Sequence, residues 1–89
     1  MSKVAFITGA TSGLGEALSK NFINIGWQVI GVGRSIDKLE LLERKLGSAF
    51  KGFFADISKS KNVETLFNSL NNDYKKIDLL VNNAATFKT

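Results

Sequence analysis

The chain has no cysteine, no histidine and no proline. Without cysteine there is no disulfide framework and no thiolate nucleophile. Without histidine, the commonest metal ligand and acid–base side chain is missing. A Ser-His-Asp or Cys-His mechanism is therefore excluded within these residues, and neither a catalytic residue nor a metal site is assigned. No apolar run approaches the ~18 residues of a membrane span. Met1-Ser2-Lys3 leads straight into Val4-Ala5-Phe6-Ile7, without the apolar core of a signal peptide. The expectation is a reduced, cytoplasmic setting and no membrane partner.

What remains reads as one small globular domain. Of 89 residues, 44% are hydrophobic and 22% charged, a balance that argues against disorder. A chain of this size buries only about 60–65% of the surface that its unfolded form exposes. Twelve Lys and Arg against eight Asp and Glu give a net charge of +4. The lysines are scattered, with Lys59/Lys61 and Lys75/Lys76 as small clusters and no interleaved aromatics. That pattern reads as solvated surface rather than a nucleic-acid face.

Short β-branched or aromatic runs alternate with stretches of helical period. Lys3–Thr8 holds four consecutive apolar residues, the mark of a strand covered on both faces. Leu14, Ala17, Leu18, Phe22 and Ile25 form one helical stripe over about Ser12–Ile25, and Gly26 ends it. Trp27–Val32 is a second strand. Ser35 caps a second helix, with Asp37 in its first turn, Arg44-Lys45 in its last, and Leu39, Leu42 and Leu46 as its stripe; Gly47 closes it. Asp37, Glu40 and Glu43 read as its solvated face. Phe50–Ala55 is a third strand. Val63, Leu66, Phe67, Leu70 and Tyr74 mark a third helix over Ser60–Tyr74, and Ile77–Asn82 is a fourth strand. The order β-α-β-α-β-α-β predicts an α/β fold with a parallel sheet; a doubly wound sheet of spatial order 3-2-1-4 follows if the third crossover returns past the first strand, a reversal that the loop after that strand favours.

Between the first strand and the first helix runs Thr8-Gly9-Ala10-Thr11-Ser12-Gly13-Leu14-Gly15. Gly9 permits a tight exit from the strand, Gly13 lets the backbone approach a pyrophosphate, and Gly15 lets helix and sheet pack closely. The helix N-terminus then offers free N–H groups to an anion. A glycine-rich turn that only packs is the plainer alternative.

With this loop the whole chain resembles the short-chain dehydrogenase/reductase family. Val29-Ile30-Gly31-Val32-Gly33-Arg34-Ser35 is similar to the family's second strand and ribose-reading turn. Ala55-Asp56-Ile57 is similar to the segment that touches adenine, and Asp78-Leu79-Leu80-Val81-Asn82-Asn83-Ala84-Ala85 to its fourth strand. Ala85 departs from the family's glycine. The resemblance implies that residues 1–89 are the N-terminal part of a single NAD(P)-binding Rossmann domain. It implies a dinucleotide cofactor held by Gly9, Thr11, Ser12, Gly13, Leu14, Gly15, Arg34, Asp56, Ile57, Asn82, Asn83 and Ala84. The adenine amino group would fall to Asp56 with Ile57 beside it, and the ribose side to Asn82 and Asn83. Asp56 could instead cap the next helix, and Arg34 could be a surface residue of the turn.

Cofactor choice follows from chemistry at the turn. NAD selection needs a carboxylate about 20 residues past the glycines, whereas an arginine accommodates a 2′-phosphate. Gly33 has no carboxylate and Arg34 follows it, so NADP(H) is expected ahead of NAD(H). The family's reaction is hydride transfer between nicotinamide and a small carbonyl or alcohol, with a Tyr-x-x-x-Lys pair moving the proton. The only tyrosine here is Tyr74, and Asp78 stands four residues on, so this portion alone is expected to be inactive. The resemblance implies a homo-oligomer for a full-length member, and the fourth strand is expected to leave an open edge. This portion alone is therefore expected to be poorly stable, to self-associate, or to need more chain. Two other classes compete with the reductase: a non-catalytic nucleotide-binding module or degenerate paralogue, and a basic nucleic-acid binder.

Overall fold

A computed structural model describes residues 3–73 and 76–83. Its elements run β1 (Val4–Thr8), α1 (Gly13–Asn24), β2 (Gln28–Gly33), α2 (Ile36–Leu46), a short 3₁₀ turn (Gly47–Ala49), β3 (Phe50–Phe54), α3 (Ser60–Asp73) and β4 (Leu79–Asn82). The four strands form one parallel sheet of order β3-β2-β1-β4, the doubly wound arrangement expected. No helix among the described residues is long and apolar enough to cross a membrane. Two expectations, the place of Tyr74 in the stripe of the third helix and a site position for Ala84, lie outside the described residues.

Alternation along the strands divides the interior into two layers. Ala5, Ile7, Val29 and Phe50 face α1 and α2, joined by Leu39 and Leu42. Val4, Phe6, Ile30 and Val32 face α3, where Val63, Leu66, Phe67 and Leu70 pack on them. The rings of Phe6 and Phe67 meet edge-on, with centroids 5.2 Å apart at 83°. Beneath α2 the sheet carries Gly31, Gly33 and Gly52 in place of larger residues. A Cβ at Gly31 would collide with Phe50 Cζ and lie 2.6 Å from Phe50 Cε1, and one at Gly52 would lie 3.0 Å from Leu39 Cβ. That bare floor lets α2 and Phe50 sit close to the backbone.

The caps of α2 match the sequence reading. Ser35 Oγ accepts from Lys38 N at 3.3 Å, and Gly47 leaves the helix at φ 83°. The face of α1 needs correction. Leu14 and Ile25 are 62% and 69% exposed and Ala17 is also exposed, whereas Gly15 and Ser19 are buried. The helix approaches the sheet through those two small residues, with Leu18, Phe22 and Ile23 half-buried beside them. Ser19 Oγ donates to Gly15 O at 2.9 Å, so its hydroxyl is satisfied inside.

Glu43 is a second correction. Asp37 and Glu40 are exposed, but Glu43 turns toward the sheet and accepts from Gly52 N at 2.8 Å. It thereby fills a free amide on the outer edge of β3. Strand boundaries also shift slightly. Trp27 precedes β2 and packs on Phe22 at 4.9 Å, β3 stops at Phe54, and β4 starts at Leu79. At the opposite edge Leu79 and Leu80 of β4 are exposed, as expected of an edge strand.

Candidate functional site

The carboxyl ends of β1, β2 and β4 converge on the glycine loop, and the three loop glycines are there for three different reasons. Gly9 has φ 65°, a left-handed conformation that disfavours a side chain. Gly15 is demanded by packing: an added Cβ would collide with Gly9 O and lie 2.8 Å from Ala10 Cα. Gly13 is required by neither, since its φ is not positive and an added Cβ would meet nothing within 4 Å. No contact within the described chain explains glycine at 13. Its bare backbone faces outward at the first turn of α1.

One carbonyl organises this loop. Gly9 O accepts from Ser12 N at 3.1 Å, Ser12 Oγ at 2.9 Å and Asn83 Nδ2 at 3.1 Å. Ser12 Oγ in turn accepts from Gly15 N at 3.0 Å, capping α1, and from Asn83 Nδ2 at 3.1 Å. The amides of Gly13 and Leu14 have no partner among the described residues. They sit at the positive end of the helix, where an anion is stabilised. This open backbone, free donors and positive dipole fit a pyrophosphate that approaches the main chain closely.

Asn82 and Asn83 divide their work. Asn82 Oδ1 accepts from Thr8 Oγ1 at 3.0 Å, linking the ends of β4 and β1, while Asn83 reaches across to the loop. Thr8, absent from the expected site residues, belongs to this corner. Thr8, Leu80 and Asn82 floor a cleft of about 460 Å³, walled by Ile57, Val63 and Phe67. The cleft lies where strand order reverses between β1 and β4, the usual ligand position in such sheets.

On the other side of the loop, Ala55 N donates to Gly33 O at 3.0 Å and extends the β2–β3 pairing past Gly33↔Phe54. This brings Arg34 and Asp56 together: Arg34 Nη1 stands 3.8 Å from Asp56 Oδ1. The Arg34 side chain is 64% exposed. A Cβ at Gly33 would lie 3.1 Å from Thr11 Cγ2, so half-buried Thr11 packs directly over that position. An acidic side chain at 33 would have to displace it.

Asp56 is not the cap of α3. Its Oδ1 accepts from Ser58 Oγ at 2.6 Å and Ser58 N at 3.1 Å, closing a turn of its own. Those donors, with smaller help from Arg34 and Lys59, hold its carboxyl below the ordinary aspartate value. The Asp-x-Ser spacing was the sequence signal for this turn. Elsewhere, Glu16 of α1 pairs with Lys45 of α2 at 2.9 Å and with Lys20 at 3.4 Å. The Lys45 hydrogen bond holds its carboxyl below the usual range. Among the described residues no group of three or more acidic side chains is placed to hold a metal.

A family profile described as short chain dehydrogenase matches residues 3–89. The chain belongs to that family. Within it, the serine 3-dehydrogenase of Agrobacterium fabrum is 45% identical over 84 residues, 94% of this chain and 34% of that protein. A probable NADP-dependent dehydrogenase of Haemophilus influenzae is 40% identical over 80 residues, 90% of this chain and 32% of that protein. This short-chain dehydrogenase chain thus spans about a third of the length of these relatives. Among solved structures, a metagenomic short-chain oxidoreductase in complex with NADP superposes with a TM-score of 0.85 at 29% identity, over 97% of this chain and 41% of that one. A 3-ketoacyl-(acyl-carrier-protein) reductase from Brucella melitensis complexed with NADH gives 0.78 at 37% identity, over 88% of this chain and 32% of that one.

Proposed function

We propose that the chain is the cofactor-binding portion of an NADP(H)-dependent short-chain dehydrogenase/reductase acting on a small carbonyl or alcohol. The observation that carries this reading is Gly13, a glycine that nothing among the described residues requires by conformation or packing, set among amides unpaired within them at the start of α1. When bound, the dinucleotide supplies hydride chemistry. The chain's own residues supply binding and orientation. The Gly13 and Leu14 amides would take the pyrophosphate, in a loop shaped by Gly9, Thr11, Ser12 and Gly15. Asp56 and Ile57 would meet the adenine, and Asn82 and Asn83 the ribose side.

Preference for NADP(H) rests on the turn after β2. Thr11 occupies the space above Gly33 where a ribose-binding carboxylate would stand, and the exposed Arg34 offers a planar fork of donors to a 2′-phosphate. The Haemophilus relative's NADP-dependent name and the NADP-bound metagenomic neighbour agree with this. The Brucella structure carries NADH, so the shared scaffold is compatible with either dinucleotide. With one tyrosine and no Tyr-x-x-x-Lys spacing, residues 1–89 bind cofactor without turning it over.

Titrating the full chain with NADPH and NADH tests the reading. NADPH is expected to bind about tenfold more tightly, with Arg34→Ala abolishing the difference. Equal affinities in the unsubstituted chain overturn the NADP(H) preference. Failure to bind either dinucleotide overturns the cofactor site itself.

A further inference from the structure

We propose that Asp56 is a second determinant of cofactor choice, a fixed negative charge that restrains the preference for a 2′-phosphorylated dinucleotide set by Arg34. The inference rests on the reading of Arg34 given above. The β2–β3 pairing carries both residues past the end of the sheet on adjacent strands, which puts their charged groups 3.8 Å apart. That separation exceeds the roughly 2.7–2.9 Å of a charge-assisted hydrogen bond. Arg34 forms no other ion pair or side-chain hydrogen bond among the described residues, so its donors stay uncommitted. Asp56 therefore acts on it as a charge and not as a clamp.

The charge is held in place. Both Ser58 donors converge on Oδ1, the same oxygen that faces Arg34, so the carboxylate cannot swing away. They also favour its ionised form. A phosphate drawn to Arg34 comes within reach of this carboxylate, over a distance that salt screens only partly. A neutral 2′-hydroxyl feels almost nothing of it. The penalty thus falls on NADP(H) alone and narrows the preference that Arg34 by itself would set.

Asp56→Asn is the informative change, because asparagine keeps an acceptor for Ser58 and removes only the charge. Any adenine contact weakened by the substitution affects both dinucleotides and cancels in the ratio of their affinities. The NADPH-to-NADH affinity ratio is expected to rise about two- to fivefold in roughly 50 mM salt, with the gain fading by about 0.5 M. Asp56→Glu, which restores the charge, is expected to return the ratio to near that of the unsubstituted chain. A ratio that stays constant in Asp56→Asn overturns the inference. So does one that falls, which would make Asp56 a clamp for Arg34. If the unsubstituted chain shows no preference for NADPH, the reading of Arg34 fails and this inference with it. A preference that Asp56→Asn leaves unmoved sinks only the inference.

Discussion

Alanine at Gly13 and alanine at Gly15, two residues apart in one loop, are expected to have opposite effects. At 15 the new methyl group falls on Gly9 O and within 2.8 Å of Ala10 Cα. Both neighbours are backbone, so β1 and α1 must move apart. Overpacking of this kind costs about 1–3 kcal/mol, against which alanine recovers about 1 kcal/mol of helix propensity. A net loss of up to about 2 kcal/mol follows. At 13 the methyl group meets nothing within 4 Å, and stability is expected to hold or to rise by less than about 1 kcal/mol. Binding inverts the ranking at Gly13. The same methyl group occupies the space through which a phosphate reaches the helix amides, and NADPH affinity is expected to fall about tenfold, or ~1.4 kcal/mol. Urea unfolding followed by Trp27, whose ring packs on Phe22 at 4.9 Å, reads stability. NADPH titration of the same samples reads affinity. A Gly13→Ala chain that is destabilised by more than about 1 kcal/mol, or that binds NADPH unchanged, refutes the assignment of this glycine to the ligand.

Two further outcomes concern the surface. Replacing Glu43 with alanine strips the Gly52 amide of its partner on the outer edge of β3. It is expected to cost about 1–3 kcal/mol and to raise self-association in sedimentation velocity; an unchanged sedimentation profile would contradict the edge-filling role. Acid should weaken the fold through Glu16 and Asp56, whose carboxyls are both held below their ordinary values of 4.5 and 3.8. A depressed folded-state value means their contribution is complete above those ordinary values and is lost as pH falls through the folded ones. The urea midpoint should therefore decline below about pH 4.5, and less steeply in Glu16→Gln; identical slopes would remove Glu16 from the account.

Much of the architecture was legible because it is written in runs and caps. β1 and β2 are buried on both faces and read as unbroken apolar stretches, and α2 is bracketed by a serine cap and a left-handed glycine. The face of α1 was misjudged because Gly15 and Ser19, which bring it against the sheet, carry no hydrophobic signal. Leu14 and Ile25 merely fall at helical spacing. Glu43 sits in register with two solvated acids, and only the placement of β3 beneath α2 shows that it has an amide to fill. The glycine loop announced itself by spacing, but the separate reasons for its three glycines needed neighbours in space. The approach of Arg34 to Asp56 likewise depends on β2 pairing with β3, which neither segment encodes alone.

The hydrogen bonds from Asn83 to Gly9 O and Ser12 Oγ tie the end of β4 to the anion loop. Where holding Asn83 in place orders both segments, linkage requires the effect to be reciprocal. Any contact that settles the exposed β4 edge will then tighten dinucleotide binding at the loop. By the same factor, a bound dinucleotide will strengthen whatever docks against that edge. Through Asn83, cofactor affinity and contact at the β4 edge would then share one coupling free energy.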